Sequence, residues 1–255
     1  MNITFLGTGT SQGVPVIACD CDVCRDGSEK DHRLRSSILV EAKGQVVVVD
    51  AGPDFRQQLL REKVEHLDAL LITHRHKDHI AGMDDVRSFN WFSGKPMPVY
   101  ATRKDQAQIK QEFSYAFSGT QYPGVPRFDL HTIGDKPFMI GDLAVIPLEV
   151  LHLKMEILGF RFGDFAYITD TNYIPGNILS QLLDCKVIVV SALRHEKHIS
   201  HYTLNQAIDV LEFLRPEQAY LTHLSHLMGF HADVEKKLPG FIKIAYDGLK
   251  INLPD

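Results

Sequence analysis

The sequence predicts an α/β fold, with two or more packed layers in a single domain over residues 1–255. Short β-rich apolar runs alternate along the chain with segments whose apolar residues have helical spacing. A chain of 255 residues that is 44% hydrophobic can bury a substantial core. No repeat of fixed period, low-complexity tract or charged linker divides the sequence, which favours one domain over two loosely joined ones.

The elements follow from these patterns in chain order. The predicted strands are Ile3–Leu6, Ser37–Val40, Val46–Val49, Ala69–Ile72, Pro98–Ala101, Leu143–Leu148, Phe165–Ile168, Val187–Val190 and Gln218–Leu221. The predicted helices are Asp54–Lys63, Lys104–Phe113, Asn177–Leu183 and Thr203–Leu214. In the last of these, Thr203 is a suitable N-cap residue and Pro216 lies just beyond the end.

Charge and hydropathy restrict the expected partners. A net charge of −5 argues against a general polyanion-binding protein, so nucleic acid is not the expected partner, although a local basic groove is compatible with this charge. The first residues lack a basic n-region and a long apolar h-region, and no stretch approaches the roughly 18 apolar residues of a membrane span. We therefore expect a cytoplasmic protein with no membrane partner.

The segment Thr73–His79, which follows the apolar run Leu70–Ile72, carries the strongest functional signal. Its H-x-H-x-D-H pattern offers imidazole and carboxylate ligands, which Zn²⁺, Mn²⁺ and Fe²⁺ accept. If the segment continues a strand end, His74 and His76 converge on one cation, while Asp78 and His79 reach a second position. Two neighbouring cations would serve hydrolysis. The simpler alternative is a polar loop of solvated histidines.

Polar residues also follow other predicted strands. Asp50, His152, Asp170 and His223 each come directly after an apolar run, as His74 does. Taken singly, each has a simpler explanation, such as a turn cap or a buried core histidine. Because they recur beside H-x-H-x-D-H, we expect them to form the rim of one site.

Three of the four cysteines lie in one short segment. Cys19, Cys21 and Cys24 form C-x-C-x-x-C, which is too compact for an ordinary disulfide framework and is typical of thiolate ligands of a structural zinc. Spacing alone leaves the fourth ligand open between Asp20 or Asp22, His32 and a distant histidine. The alternative is a cluster of reduced, redox-active cysteines. Cys185 is expected to be a small buried apolar residue.

The histidines and aspartates together resemble a known family. His74, His76, Asp78 and His79, followed by His152, Asp170 and His223, are similar to the complete ligand series of the metallo-β-lactamase superfamily, and the match covers essentially the whole chain. This resemblance implies a four-layer αββα sandwich. It also implies that one metal binds His74, His76 and His152, that a second binds Asp78, His79 and His223, and that Asp170 bridges them. Asp50 would hold the ligand loop by hydrogen bonds.

The N-terminal segment narrows the resemblance to one subfamily. The glycine turn Gly7–Pro15 followed by the cysteine motif is similar to the PhnP-like phosphodiesterases. That resemblance implies that His226 completes a structural Zn²⁺ site with Cys19, Cys21 and Cys24. The glycines alone are a weak signal and do not match the dinucleotide fingerprint, so NAD binding is not expected.

A second histidine group, Arg194–Thr203, precedes the last predicted helix. Phosphodiesterases of this superfamily place a histidine at the position that matches His201 in His201-x-Thr203. The resemblance implies that His201 acts as a general acid in its imidazolium form, beside the metal-binding Asp78. His195 and His198 either line the same pocket or lie in a solvated loop. The aromatic segment Phe113–Phe128, which includes Tyr115, Phe117 and Tyr122, is expected to pack against the fold and not to form a lid.

The sequence therefore predicts metal-assisted hydrolysis of a small phosphodiester that is cyclic or nucleotide-like, with a cyclic ribose phosphate as one candidate. The expected cofactors are two divalent ions, Zn²⁺ or Mn²⁺ or else Fe²⁺, and one structural Zn²⁺. The competing hypotheses are a tRNA 3′-processing endonuclease, an oxidoreductase of the pyrroloquinoline-quinone-synthesis type and a non-catalytic metal-binding module. A homodimer is compatible with the sequence.

Overall fold

The computed structural model describes residues 1–118 and 124–254. In the described part of the aromatic segment, Phe113 is buried in the same cluster as Phe55, and Phe128 packs against that cluster, whereas Tyr115 and Phe117 are exposed. Tyr122, which we assigned to the same segment, lies outside the described residues.

The strands in chain order are β1 (Asn2–Gly7), β2 (Ser37–Ala42), β3 (Gln45–Val49), β4 (Ala69–Leu71), β5 (Met97–Ala101), β6 (Phe128–Thr132), β7 (Phe138–Ile140), β8 (Leu143–His152), β9 (Met155–Phe162), β10 (Phe165–Ile168), β11 (Val187–Ser191), β12 (Gln218–Thr222), β13 (Ile242–Ile244) and β14 (Lys250–Asn252). Within residues 1–118 and 124–254 they form two mixed seven-stranded sheets, in the orders β14-β1-β2-β3-β4-β5-β6 and β13-β12-β11-β10-β9-β8-β7.

The helices are α1 (Asp22–Asp26), α2 (Phe55–Glu62), α3 (Lys77–Ile80), α4 (Arg87–Ser93), α5 (Arg103–Glu112), α6 (Gly176–Leu182), α7 (Leu204–Leu214) and α8 (His231–Glu235). Short 3₁₀ turns cover Glu29–Asp31, Met83–Val86, Ser114–Ala116 and His226–Met228. No helix among the described residues is both long and apolar enough to cross a bilayer.

The two sheets pack face to face. Val47 and Leu71 of the first sheet share one buried cluster with Phe160, Tyr167 and Val189 of the second. Because helices cover the outer faces as well, the central strands are buried on both sides, which is why runs such as Val46–Val49 are continuously apolar.

Helices complete the four layers. On the first sheet, Val48 packs with Phe55 of α2 and Ile109 of α5. On the second sheet, Ile188 packs with Leu182 of α6 and Leu211 of α7. The architecture is therefore the αββα sandwich that the resemblance implied.

Each predicted strand and helix is present, with shifts of one to a few residues at the ends. The sequence patterns missed strands β6, β7, β9, β13 and β14 and helices α1, α3, α4 and α8. At the start of α7, Thr203 is the N-cap as predicted: its Oγ1 accepts the Gln206 N–H at 3.2 Å and its own N–H donates to Gln206 Oε1 at 3.0 Å.

Candidate metal centre

Strand ends bring the predicted ligands to one edge of the sandwich. Asp50 follows β3, His74 lies just beyond β4, His152 ends β8, Asp170 follows β10 and His223 follows β12. Asp50, Asp170 and His223 have φ of 65°, 58° and 58°. This left-handed backbone is uncommon outside glycine, and it turns the chain sharply at the end of each strand.

The H-x-H-x-D-H segment does not continue as a strand, contrary to our expectation. His76 is the N-cap of α3, so Asp78 and His79 lie in its first helical turn. The helix rests on the turn after β3, where the His79 carbonyl oxygen accepts the Ala51 N–H at 2.8 Å. A Cβ atom at Gly52 would lie 2.0 Å from the Asp78 carbonyl oxygen, so this approach requires glycine. The helical turn therefore separates Asp78 and His79 from His74 and His76.

Two groups of ligand atoms converge at this edge. In one group, the side-chain ligand atoms of Asp78, His79, Asp170 and His223 all lie within 4.8 Å of one another. In the other, His74 Nε2 lies 3.0 Å from His76 Nδ1.

Asp170 lies between the two groups. Its Oδ1 is 3.4 Å from His79 Nε2, and its Oδ2 is 3.1 Å from His223 Nε2 and 3.9 Å from His74 Nε2. A carboxylate in this position can contact two cations at once.

The buried nitrogens fit bound metal ions. Within the described part of the chain, His79 Nε2 and both ring nitrogens of His223 are buried, and none of them makes a hydrogen bond, since the nearby Asp170 oxygens are not aligned for one. A buried polar atom without a partner costs about 1–3 kcal/mol. The Nδ1 of His79 is 2.7 Å from Asp50 Oδ2, and its Nε2 faces the carboxylates of Asp78 and Asp170 at 3.2 and 3.4 Å. A metal ion bound between Nε2 and these carboxylates would take the place of the proton on Nε2.

The electrostatics of the cluster lead to the same conclusion. Burial alone would raise the pKa of the Asp170 carboxyl, but the charges of His223 and His79 hold it well below its ordinary value. Burial opposes the charged form of His223, yet Asp170 raises the pKa of His223 to about 9. Without metal, protons therefore balance the carboxylates, and binding of divalent ions would displace these protons.

Asp50 supports the site as the resemblance implied. Its carboxylate accepts the Thr73 N–H and the Thr73 hydroxyl, each at 2.8 Å, and contacts His79 Nδ1. All three residues are fully buried. Asp50 thus ties the end of β4 to α3 and fixes the His79 ring.

His201 lies against the candidate ligands. Its ring centroid is 4.7 Å from that of His152 and 4.9 Å from that of His223. One ligand atom each of His152, Asp170 and His201 lies within 4.8 Å of the others. The next residue holds the loop in place, because the Tyr202 N–H donates to the Thr171 carbonyl oxygen at 2.9 Å.

The charge state of His201 differs from our expectation. Burial, and then the positive charge of His223, lower the pKa of His201 to about 3. The resting ring is therefore neutral near pH 7, and the imidazolium form that we expected is disfavoured by this environment. A neutral ring still has one N–H to donate.

The cysteine motif meets His226 as the resemblance implied. His226 Nδ1 lies 3.2 Å from Cys21 Sγ and 3.4 Å from Cys19 Sγ, and with Cys24 the ligand atoms lie within 4.8 Å of one another. The hydrogen bond with His226 lowers the pKa of Cys21 to about 6. Three thiols and one imidazole suit a tetrahedral Zn²⁺.

Sequence reasoning missed two positively charged side chains beside the site, those of Arg75 and Lys154. They line a cavity together with His76 and His152. Their positions in the sequence gave a usable signal, since Arg75 lies inside H-x-H-x-D-H and Lys154 follows His152 by two residues.

The two-sheet sandwich, with histidines and aspartates gathered at its strand ends, defines a protein of the metallo-β-lactamase class. The chain belongs to the metallo-β-lactamase superfamily, because residues 45–224 match the family model described as "Beta-lactamase superfamily domain". Within that superfamily the chain is PhnP-like. It shares 39% sequence identity with a diphosphatase from the PhnP family, whose crystal structure matches this one with a TM-score of 0.92. The match covers 98% of this chain and 96% of that chain.

Two further relatives extend the comparison. The chain is 38% identical over 253 residues to an octanoyltransferase of Porphyromonas gingivalis. The aligned region covers 98% of this chain but 51% of that protein, so the chain spans about half the length of this curated relative. The Zn²⁺-bound PqqB structure from Methylobacterium extorquens is 20% identical with a TM-score of 0.80, covering 99% of this chain and 100% of that chain. At that identity it supports the fold alone.

Proposed function

We propose that this protein is a metal-dependent phosphodiesterase that hydrolyses a small cyclic or nucleotide-like phosphodiester. The observation that carries the proposal is the position of Asp170 between the two ligand groups, with His201 beside them. A paired metal site of this kind suits attack on phosphorus, because both the attacking and the leaving oxygen need stabilisation.

In the proposed site, His74, His76 and His152 would hold one divalent ion, and Asp78, His79 and His223 would hold the other. Asp170, which lies between the two groups, would contribute its carboxylate to both. His152 is oriented for this role, because its Nδ1 lies 2.6 Å from the Asp170 carbonyl oxygen and 2.9 Å from that of Ser200, which leaves Nε2 free to bind metal. Cys19, Cys21, Cys24 and His226 would hold a separate structural Zn²⁺.

When bound, the metal pair supplies Lewis acidity and a water molecule of lowered pKa. The chain supplies orientation and exclusion of solvent. Asp50 fixes the His79 ring, while burial of His74, His79, Asp170 and His223 keeps bulk water away from the ligand atoms. Buried donors and charges of this kind act in a low dielectric, where they stabilise developing charge more strongly than in water.

His201 is the proposed donor to the substrate. Its neutral imidazole can donate an N–H to a phosphoryl oxygen, and the anionic substrate would raise the pKa of the ring as it binds. Proton delivery to the departing alkoxide oxygen then becomes favourable. The proposed role of His201 is therefore the one that the resemblance implied, starting from a neutral ring.

A panel of substrates tests the proposal. Purified protein loaded in turn with Zn²⁺, Mn²⁺ or Fe²⁺ should hydrolyse bis-p-nitrophenyl phosphate and at least one cyclic phosphate. It should leave a phosphomonoester, a β-lactam and an octanoyl thioester largely intact. Absence of diesterase activity with every metal would contradict the proposal.

A matched pair of histidine variants excludes contaminating activity. His76→Ala should abolish turnover and lower the content of active-site metal, because it removes a proposed ligand. His66→Ala should behave as wild type, since the exposed His66 lies outside the cluster. Equal activity of the two variants would assign the hydrolysis to another protein.

Diphosphate hydrolysis is the second candidate. It is favoured by the solved structure that is 39% identical, which is described as a diphosphatase. A P–O–P anhydride and a phosphodiester are attacked at phosphorus in the same way, so one site can serve either bond. The ratio of kcat/KM for a nucleoside diphosphate ester to that for bis-p-nitrophenyl phosphate separates the two functions.

Nuclease, oxidoreductase, binding and acyl-transfer functions would each give a distinct result. Cleavage of pre-tRNA at physiological salt would favour a tRNA 3′-processing nuclease, against the net charge of −5. Oxidation without hydrolysis would favour the pyrroloquinoline-quinone-synthesis type, and metal binding without turnover would favour a non-catalytic module. Octanoyl transfer has weak support, because the chain spans only 51% of the relative with that name.

Three expectations stay predictions: that residues 1–255 form one domain, that the protein is cytoplasmic, and that a homodimer can form. Light scattering of the metal-loaded protein tests the last. Metal identity is decided by elemental analysis after purification without added metal.

A further inference from the structure

His223 differs from other proposed histidine ligands in what orients its ring. The rings of His74, His79 and His152 each have a nitrogen within hydrogen-bonding distance of an oxygen atom, at 3.0, 2.7 and 2.6 Å. Neither ring nitrogen of His223 makes a hydrogen bond with the described part of the chain. Its backbone is also in the left-handed region, with φ of 58°. The conformation of His223 therefore depends on the backbone beside it.

The glycine turn, Gly7–Pro15, holds the residue that follows His223. The Leu224 N–H donates to the Thr8 carbonyl oxygen at 2.9 Å, and the Leu224 carbonyl oxygen accepts the Thr10 N–H at 3.1 Å. Leu224 is itself buried, so both bonds are shielded from water. The turn thus clamps the chain directly next to a proposed metal ligand.

The backbone of the turn is engaged within the protein. Four of its N–H groups donate to carbonyl oxygens of the chain at 2.8 to 3.1 Å, those of Gly9, Thr10, Gly13 and Val14. A Cβ atom at Gly9 would lie 2.8 Å from the Arg33 carbonyl oxygen, so this close approach requires glycine. A glycine turn that cradles phosphate instead leaves its N–H groups free for the anion. These contacts favour a role in holding neighbouring backbone.

A buried polar network fixes Thr8. Its hydroxyl donates to Asp247 Oδ1 at 2.8 Å and accepts a bond from Arg33 Nη1 at 2.9 Å. Arg33 is only 5% exposed and also donates to the Ala245 carbonyl oxygen at 2.6 Å. Asp247 Oδ2 accepts the Leu34 N–H at 2.8 Å. Because hydrogen bonds to charged groups are roughly twice as strong as neutral ones, they hold the Thr8 side chain in one orientation.

We propose that Thr8 is a positioning residue for the proposed metal ligand His223. The buried charges of Arg33 and Asp247 fix Thr8. Through its carbonyl oxygen, Thr8 then fixes Leu224 and with it the neighbouring His223 ring. The inference rests on the metal site of the proposed function. It gives the glycine turn a role in metal binding, although no residue of the turn is a ligand.

Zinc affinity tests this role independently of turnover. Thr8→Val keeps the shape of the side chain and removes its hydroxyl. It should weaken binding of the active-site ion at His223 by about tenfold, the lower end of the range for residues that support a metal ligand. Thr8→Ser retains the hydroxyl and should restore wild-type affinity. Calorimetric titration with Zn²⁺ measures both variants, and elemental analysis checks that the structural zinc is retained.

Two controls separate positioning from a general loss of stability. Val145→Ala, at a buried residue near the end of β8 opposite His152, should lower Tm and leave zinc affinity unchanged. In a His223→Ala background, Thr8→Val should cause no further loss of zinc affinity, because the ligand through which it acts is absent. An equal loss in that background, or unchanged affinity in Thr8→Val alone, would overturn the proposal.

The outcomes also separate this inference from the proposed function. Zinc binding that depends on Thr8, without hydrolysis of any diester, would contradict the function and support the positioning role. Hydrolysis with zinc affinity that is insensitive to Thr8 would do the reverse. If Thr8→Val does not fold, hydrogen exchange of the wild-type protein decides. The Leu224 amide should be protected before active-site metal is added, and rapid exchange would overturn the clamp.

Discussion

The Nε2 atom of His195 lies 2.9 Å from the carbonyl oxygen of Met228, within hydrogen-bonding distance. This contact joins the loop that carries His201 to the 3₁₀ turn that begins at His226. A second link runs in parallel, because the Ser225 N–H and hydroxyl both donate to the Leu193 carbonyl oxygen, at 3.0 and 2.9 Å. The proposed structural zinc site and the proposed phosphate-binding histidine are thus mechanically connected.

His195 should therefore act as a positioning residue for His201. His195→Ala removes the bond to Met228, worth about 1 kcal/mol, and should lower kcat several-fold with little change in KM or in zinc content. His195→Gln retains an N–H donor and should restore much of the rate. Steady-state kinetics with elemental analysis checks this, and equal rates for the two variants would show that the bond has no positioning role.

Asp50 should control metal affinity without binding metal. Asp50→Ala leaves the Thr73 N–H, the Thr73 hydroxyl and the His79 ring without their buried acceptor. Loss of such a partner typically weakens metal binding by about 10- to 100-fold. Competition with a fluorescent zinc chelator measures the change. Asp142→Ala, at an exposed aspartate, is the control, and unchanged affinity in Asp50→Ala would refute the supporting role.

The cysteine site should contribute mainly to stability. Within the described residues, the buried apolar cluster around it contains only Val14, Val23 and Cys24, which is a small core for the loop that they anchor. Cys21→Ser should release the structural zinc, lower Tm by several degrees and loosen the His226 turn. Elemental analysis and thermal unfolding test this. Cys185→Ala, at a buried cysteine far from the motif in sequence, should keep the zinc, and a Cys21→Ser variant that also keeps it would contradict the assignment.

The sequence predicted those strands and helices whose side-chain pattern is set by their own burial. Runs such as Val187–Val190 are apolar because both faces of the strand are covered. Strand β9 escaped detection because Glu156, Gly159 and Arg161 interrupt its apolar residues. Gly159 is required there by tertiary contact, since a Cβ atom would lie 2.8 Å from the Tyr167 carbonyl oxygen. A requirement of this kind is invisible in the local pattern.

The sequence indicated which residues gather at this edge but not the contacts between them. The seven proposed ligands stand at strand ends or in one motif, so residue type and position were enough to propose them. Helix α3 was missed because four residues carry no periodicity. The bond from Thr73 to Asp50 joins residues separated by 23 positions, and the neutral charge of His201 follows from burial beside His223. Such properties arise from the packing of distant segments.

Acid should weaken the junction between the N-terminal loop and α8. His231 is buried. Its backbone N–H donates to Asp31 Oδ1 at 2.6 Å, and the Nδ1 atom of its ring lies 3.2 Å from Arg33 Nη2. Burial and the charge of Arg33 lower the pKa of His231, while Glu235 opposes the shift and Lys30 adds to it. The unfolded chain therefore binds this proton more readily than the folded protein. The stability that His231 contributes is present above its unfolded pKa of 6.5 and is lost as the pH falls.

Urea unfolding tests this sign. The difference in unfolding free energy between wild type and His231→Asn, which keeps an acceptor near Arg33, should favour wild type at about pH 7.5 and shrink toward about pH 5.5. Measuring a difference cancels the titration of the other histidines. A difference that grows at low pH would mean that His231 is charged in the folded protein.

His201→Ala decides whether this residue acts on the substrate or binds metal. As a donor to the phosphate, it should contribute a factor of roughly 10² to 10⁴ to kcat, and its removal should leave both active-site metals in place. Its ring lies close enough to His152 and Asp170 for the second role as well. His201→Gln, which keeps an N–H donor but lacks an imidazole proton, should recover part of the loss if the hydrogen bond to the phosphate matters more than proton transfer. Elemental analysis with kinetics on both variants separates the roles: retained metal with a slow turnover supports the donor, whereas loss of one metal equivalent would make His201 a ligand and remove it from the proposed chemistry.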